Sequence, residues 1–169
     1  MSKARMQSDA LLVKWCAGIT GDVLSVGSGT DLDGAGRPYR GYFPKATRYR
    51  TSEPVATPGC DLVLDVRAMP EIPDASLDCV ICGGVLEHVD DCHAAVRECE
   101  RILKPGGICL VGVPFQQRIH RAPQDFWRFT AYGVAYLLRA FEIIKVQPIG
   151  DDPKFPWTYW VYCRKPVAA

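Results

Sequence analysis

The segment from Val23 to Asp31 places a run of apolar residues directly before a turn that contains Gly27 and Gly29. Such a run is typical of a buried strand, and glycines at its end let the backbone approach a ligand without interference from a Cβ atom. Main-chain NH groups of the turn would then face an anionic or polar group of that ligand. A tight turn that binds nothing would have the same sequence. The pattern therefore predicts a strand followed by a turn, and it leaves the ligand open.

Short apolar runs alternate with helical patterns along the rest of the chain, which predicts an α/β fold with a mostly parallel sheet. The helices are expected from about Ser8 or Asp9 to Gly18, from Asp91 to Lys104, and after a cap at Thr130. Five strands are expected before the third helix, at 22–26, 47–52, 61–64, 77–82 and 108–113.

The last two β-rich runs, 141–146 and 158–163, are too close in sequence for a helical crossover. They should pair as an antiparallel hairpin. The stretch 33–45 and the segment after Asp65 lack the pattern of a regular helix. The sequence therefore predicts a trimmed α/β domain, in which these two segments contain no regular helix.

Length and charge restrict the class of protein. The chain has 169 residues and a net charge of +1, which fits one domain, residues 1–169, and gives no field that attracts nucleic acid or an anionic membrane. A signal peptide and an apolar run of membrane-spanning length are not apparent. The expectation is a cytoplasmic protein with no nucleic-acid and no membrane partner.

The positions of the eight cysteines do not indicate a metal site or a set of disulfide bonds. Cys79 and Cys82 have the spacing of a redox or zinc motif, but they lie in a predicted strand. Residues three apart in a strand point to opposite faces, so these two thiols could not share a metal ion. Reduced core thiols, and no metal site, are expected.

Two acidic residues follow the second and third predicted strands. A carboxylate at Glu53 can accept both hydroxyl protons of a ribose, and one at Asp65 can accept the amino protons of an adenine. Each residue alone could equally be a turn or cap residue. Because both follow strands of one parallel sheet beside the glycine turn, a shared ligand explains them better.

The order of these segments resembles the class I S-adenosylmethionine-dependent methyltransferases, in particular the methyltransferase type 11 domain. The resemblance extends from about Asp22 to Val113, and its further parts are the segments 77–82, 85–89 and 101–107. It implies a Rossmann-like, seven-stranded, mostly parallel sheet with an antiparallel last strand and helices on both faces. It also implies S-adenosylmethionine as the cofactor.

The resemblance assigns cofactor contacts to particular positions. The methionine portion should lie against the glycine turn, the ribose against Glu53, and the adenine against Asp65 and the backbone of Val66, while Gly83 should lie near the sulfonium. Asp31 stands where the family commonly has a third glycine, and its carboxylate could attract the cofactor's ammonium group. The expected cofactor-binding residues are Gly27, Ser28, Gly29, Asp31, Glu53, Asp65, Val66 and Gly83.

Two histidines are candidates for a general base. A sugar hydroxyl that accepts the methyl group usually needs such a base, whereas a phenol or an amine needs only to be positioned. His120 follows the fifth predicted strand, on the edge where ligands bind, although a surface loop histidine would look the same. His88 follows the fourth predicted strand and could equally bind local backbone groups.

The segment from His120 to Thr130 resembles one in a smaller branch of the family, several members of which act in polysaccharide or specialised-metabolite pathways. Asp125, Trp127 and Arg128 are therefore candidate substrate-binding residues, with Arg128 suited to an anionic group. The alternative is that Trp127 and Phe129 only cover the sheet edge, with Arg128 stacked on them.

Together these features predict transfer of a methyl group from S-adenosylmethionine to a small-molecule or carrier-linked acceptor, on oxygen or nitrogen. The alternative is a non-catalytic protein of the same fold that acts as a partner or activator. A nicotinamide oxidoreductase is disfavoured, because Leu32 stands where the dinucleotide fingerprint needs glycine.

An open acceptor side is also expected, closed either by a second copy of the chain or by a bulky acceptor. The aromatic residues of 155–160 would form a dimer interface or, alternatively, cover the last strands within one monomer.

Overall fold

A computed structural model describes residues 2–167 and contains one sheet of seven strands. The strands are β1 (Thr20–Val26), β2 (Lys45–Glu53), β3 (Leu62–Val63), β4 (Leu77–Gly83), β5 (Leu103–Pro114), β6 (Glu142–Ile149) and β7 (Thr158–Arg164). The helices are α1 (Lys3–Cys16), α2 (Cys92–Ile102) and α3 (Ala131–Leu137), with single 3-10 turns at Tyr39–Tyr42 and Leu86–His88.

The strand order is β3-β2-β1-β4-β5-β7-β6. Strands β1 to β5 pair in parallel, and β7 runs antiparallel to both β5 and β6. The predicted Rossmann-like sheet and its C-terminal hairpin are confirmed. The order reverses between β1 and β4, and in sheets of this kind ligands bind in the crevice outside the carboxyl ends of the strands at that point.

Apolar layers cover both faces of the sheet, as predicted. One layer contains α2 and α3 and includes Leu24, Val80 and Val111, while the other contains α1 and includes Val23 and Leu110. Neighbouring residues of one strand thus enter opposite layers, as the pleat requires. The connections from β1 to β2 and from β3 to β4 contain no α-helix among the described residues, so helices are missing where the sequence predicts it.

Helix α1 begins earlier than predicted. Ser2 caps it by accepting a hydrogen bond from the Arg5 NH, 3.3 Å away. Asp9 is instead a buried residue inside the helix, where its carboxylate accepts hydrogen bonds from Gly34 N (3.1 Å) and the Tyr39 hydroxyl (3.2 Å). A buried carboxylate needs such partners, and these are supplied from 25 to 30 residues away, beyond the reach of a local pattern.

The junction between α2 and β5 also differs from the prediction. Asp91 caps α2, accepting from Ala94 N at 2.9 Å, but the helix ends at Ile102 and β5 begins at Leu103. The glycines of the expected helix stop belong to the strand. Gly106 donates its NH to the Lys165 carbonyl and Gly107 accepts from the Lys165 NH, both at 2.9 Å. Pairing with the chain after β7 thus draws this segment into the sheet.

All eight cysteines are free thiols, and seven of them are buried. Cys79 and Cys82 enter the two opposite core layers, which confirms the prediction that they face away from each other. Burial raises the pKa of both thiols. They therefore behave as core side chains rather than reactive groups.

The aromatic residues near β7 divide between core and surface. Tyr159 and Trp160 are each 7% exposed, so they cover the sheet within one chain, and the interface interpretation is wrong for them. Phe155 is exposed and packs edge-on against Phe115, with ring centroids 5.7 Å apart. Within residues 2–167, every helix is too short or too polar to cross a lipid bilayer.

Candidate active site

A cavity of about 280 Å³ opens at the carboxyl ends of β1, β2 and β4, where the strand order reverses. Its walls include Gly27, Glu53, the segment 64–67 and the segment after β4. Residues of the loop 121–126 line the cavity as well. The sheet therefore brings together the glycine turn and both acidic positions that the sequence singled out.

The glycine turn requires its glycines for two different reasons. Gly27 has φ +59°, and a Cβ atom there would lie 2.5 Å from Val85 Cγ2. Gly29 has φ +58°, and its Cβ position meets nothing within 4 Å. The NH of Gly29 donates to the carboxylate of Glu53, so the turn and the end of β2 are joined at the cavity.

Ser28 and Asp31 lie in the same turn but outside the cavity wall. The Ser28 hydroxyl is buried and has no hydrogen-bond partner in the protein. Asp31 has φ +53°, a conformation that favours glycine, which explains why the family commonly has glycine there. Its carboxylate accepts from the Tyr49 hydroxyl at 2.6 Å, so the side chain is directed to β2.

Asp65 and Val66 both line the cavity, as expected, but the Asp65 carboxylate already has a partner. Arg67 donates to it through Nη2 (2.6 Å) and Nε (3.0 Å) and reaches Asp90 through Nη1 at 2.8 Å. Hydrogen bonds from Arg67 outweigh the effect of burial and hold the pKa of Asp65 below its usual range. The sequence analysis did not identify Arg67 or Asp90, although both line the cavity.

Gly83 is not among the residues that line the cavity, whereas Gly84 is. Side chains alternate across a strand, and the Cβ position of Gly83 faces the core, 2.6 Å from Trp160 Cη2. Gly84 has φ +69° and lies beside Val85 in the cavity wall. The contact of Gly83 with the cofactor stays a prediction, and Gly84 is the neighbouring glycine in the cavity wall.

The structure brings the two candidate histidines together. The Nε2 atoms of His88 and His120 are 3.1 Å apart, and His88 lines the cavity. Their Nδ1 atoms face backbone carbonyl oxygens, that of Gln124 at 2.6 Å for His88 and that of Arg118 at 3.1 Å for His120.

Glu87 joins this pair, although the sequence analysis did not identify it. It is 3% exposed, and its Oε1 lies 4.0 Å from His88 Nε2. Its other carboxylate oxygen has no hydrogen-bond partner. Burial raises the pKa of Glu87.

Asp125 and Arg128 hold the loop that carries His120. Asp125 accepts two hydrogen bonds from the Arg128 guanidinium (2.7 and 2.8 Å) and one from the His120 backbone NH (2.7 Å). Arg128 also donates to the carbonyls of Gln117 and Arg118. The Asp125 side chain is 2% exposed, so it is closed to a substrate in this conformation.

Trp127 is partly exposed, and its indole NH donates to the Val89 carbonyl at 2.8 Å. The Trp127 side chain thus connects the loop to the turn after β4. The backbone NH groups of Phe126 and Trp127 also donate hydrogen bonds to the Glu87 carbonyl in that turn. These contacts favour a positioning role for the three residues expected to bind substrate.

Comparison with known proteins identifies relatives for the central part of the chain. Residues 44–111 match the family described as methyltransferase domain. Over 79 residues the chain is 33% identical to a ubiquinone biosynthesis O-methyltransferase from Psychrobacter cryohalolentis, a match that covers 47% of this chain and 28% of that protein. The chain spans less than a third of the length of the curated relatives it matches.

Solved structures share the fold along nearly the whole chain. The 1,6-didemethyltoxoflavin-N1-methyltransferase of Burkholderia thailandensis, solved with bound 1,6-didemethyltoxoflavin and S-adenosylhomocysteine, is similar with a TM-score of 0.73 and 20% identity. That match covers 98% of this chain and 80% of the other. The [4+2]-cyclase SpnF is similar with a TM-score of 0.74 and 18% identity, covering 98% and 81% of the two chains.

The family match begins just before β2 and ends within β5, so it includes both acidic strand ends and the Glu87–His88 turn. The shared fold extends to the remaining strands. The central part of this chain is therefore similar to the methyltransferase domain family, and nearly the whole chain shares the fold of these solved structures.

Proposed function

We propose that the chain is an enzyme that transfers the methyl group of S-adenosylmethionine to a small-molecule or carrier-linked acceptor, on oxygen or nitrogen. The observation that carries the proposal is one cavity lined by Gly27, Glu53, Asp65 and His88. It combines groups suited to the cofactor with a candidate base. Among the similar proteins, one is named a ubiquinone biosynthesis O-methyltransferase and another a 1,6-didemethyltoxoflavin-N1-methyltransferase, both names of small-molecule enzymes.

The residues present fit the cofactor. Gly29 leaves open space beside the turn, and the buried Ser28 hydroxyl has no partner within the protein. Glu53 would hold the ribose hydroxyls, and the Asp65–Val66 segment would face the adenine, with Arg67 sharing the Asp65 carboxylate. Gly27 and Gly84 would allow the methionine portion to approach the backbone.

The cofactor supplies an electrophilic methyl group on a positively charged sulfur. The chain contributes alignment of the acceptor and removal of its proton. His88 is the imidazole that lines the cavity, and His120 contacts it at Nε2. The Asp125–Arg128 pair holds the His120 loop in place, so these two residues position the base rather than bind the acceptor.

Residues 1–169 would act as one domain, in the cytoplasm and without a nucleic-acid or membrane partner. A second copy of the chain remains a prediction for the acceptor side, now with Phe155 as the exposed aromatic residue that would contribute.

Turnover tests the proposal. The purified chain is incubated with S-adenosylmethionine and a panel of phenols, amines and sugar derivatives, and release of S-adenosylhomocysteine is measured. We expect acceptor-dependent release that falls at least about tenfold in His88→Ala. His93→Ala, which alters an exposed histidine of α2, is the control and should leave the rate unchanged. Binding of the cofactor without turnover on any acceptor would favour the non-catalytic partner or activator.

A further inference from the structure

The Nε2 atoms of His88 and His120 lie 3.1 Å apart, and the contacts of their Nδ1 atoms indicate which nitrogens carry the hydrogens. A backbone carbonyl oxygen only accepts hydrogen bonds, so the Nδ1 atoms that face Gln124 O and Arg118 O carry the hydrogens. In the neutral imidazoles the two Nε2 atoms are therefore both acceptors, 3.1 Å apart. Two acceptors at this distance need a positive centre between or beside them.

The third group at this point is Glu87. Its carboxylate is nine-tenths buried, and one of its oxygens lacks any hydrogen-bond partner. The ligand atoms of Glu87, His88 and His120 all lie within 4.8 Å of one another. Because an unpartnered carboxylate is costly to bury, this arrangement also calls for a cation.

We propose that Glu87, His88 and His120 bind a divalent transition-metal ion, with Zn²⁺ as the metal best suited to the ligands. Two imidazoles and one carboxylate form a donor set typical of catalytic zinc sites with an open position. Two Zn–N bonds of about 2.0–2.1 Å at a tetrahedral angle place neighbouring ligand nitrogens about 3.3 Å apart. The Nε2 atoms are 3.1 Å apart here, which is close to that spacing. Glu87 Oε1 lies 4.0 Å from His88 Nε2, so this carboxylate has to move closer to complete the site.

The surroundings of the histidines fit metal ligation. Metal-bound histidines commonly donate the other ring NH to a carbonyl oxygen, which fixes the tautomer, and both residues do so here. Asp125 holds the backbone NH of His120, so the loop position of this ligand is also set. His120 is partly exposed, which gives an ion a path from solvent.

No metal site is expected from the sequence, in which His88 and His120 are 32 residues apart. A bound cation would make the histidines ligands rather than free bases and would leave its open position beside the cavity that His88 lines. Cation binding is measured by calorimetric titration with the metal alone, so its outcome is independent of methyl transfer.

The test uses the full chain without a histidine tag, dialysed against a chelator and then titrated with ZnSO₄ by calorimetry. One Zn²⁺ per chain is expected for the wild type and for the control His93→Ala. Glu87→Gln and His120→Ala should each weaken binding at least about tenfold. Loading with Co²⁺ should give visible absorption bands in the wild type and in His93→Ala. These bands should be missing in Glu87→Gln and His120→Ala.

His120→Ala keeps the backbone NH that donates to Asp125, so its fold should survive even if Glu87→Gln proves unstable. Circular dichroism and S-adenosylhomocysteine affinity check both variants. The proposal is overturned if the wild type binds no more Zn²⁺ than His120→Ala does. A shared proton between the imidazoles would then explain their contact. Equal binding of Mg²⁺ and Zn²⁺ would also contradict it, because imidazole ligands disfavour Mg²⁺.

Discussion

Trp160 lies against Gly112 so closely that a Cβ atom at this glycine would be 2.8 Å from the indole carbons Cη2 and Cζ2. The indole is buried, and it also lies 2.6 Å from the Cβ position of Gly83 in β4. Gly112→Ala should therefore lower the free energy of unfolding by about 1–3 kcal/mol through overpacking. Urea denaturation measures the change, and Gly18→Ala is the control, since its Cβ would meet nothing within 4 Å. Equal stability of the two variants would contradict this packing.

Acid should destabilise the fold in part through Asp33. This side chain is buried, which opposes ionisation, but hydrogen bonds from Tyr42 (2.6 Å) and Arg37 (2.7 Å) outweigh burial and hold the pKa of Asp33 below its usual value. A carboxyl group with a lowered pKa stabilises the fold above its unfolded-state pKa of about 3.9, and this contribution is lost as the pH falls below that value.

The free energy of unfolding of the wild type should thus decrease more steeply below about pH 4 than that of Asp33→Asn. Chemical denaturation between about pH 7 and pH 2.5 measures both slopes. Asp152→Asn, in an exposed loop, is the control and should follow the wild type. Parallel curves for the wild type and Asp33→Asn would show that this carboxylate does not contribute.

The thiols should differ sharply in reactivity. Burial raises the pKa of Cys16 to about 12 and raises that of Cys79, while Cys60 alone among the eight is only half-buried. Iodoacetamide should modify one site in the native protein, Cys60, and all eight after denaturation without reductant. Peptide mass spectrometry locates the adducts. Fewer than eight adducts after denaturation would indicate disulfides, and fast native labelling of Cys79 would contradict its burial.

The sequence predicts those parts of the molecule that follow local rules. The apolar run of 22–26 and its glycine turn give β1 and the cavity edge, and Asp91 and Thr130 cap their helices as expected. The failures involve partners distant in sequence. Asp9 is buried because Gly34 and Tyr39 hydrogen-bond to it, which no helical pattern reveals.

The candidate site shows the same division. Glu53 and Asp65 follow from strand ends, but the Arg67 bridge between Asp65 and Asp90 depends on how two turns meet. Glu87 lies close to both His88 and His120 because the loop before α3 contacts the turn that follows β4. Glu87 precedes His88 in the sequence, yet nothing in the spacing indicates that its carboxylate is buried.

Binding of S-adenosylhomocysteine, measured by isothermal titration calorimetry, tests most directly whether the cavity at the strand ends is the cofactor site. Glu53→Ala should weaken binding by about 2–3 kcal/mol, or about 30- to 150-fold, because charged hydrogen bonds to the ribose are lost. The control, Glu71→Ala, removes an exposed carboxylate outside the cavity and should leave the affinity unchanged. Unaltered affinity in Glu53→Ala, or no binding by the wild type, would contradict the assignment of this cavity to the cofactor.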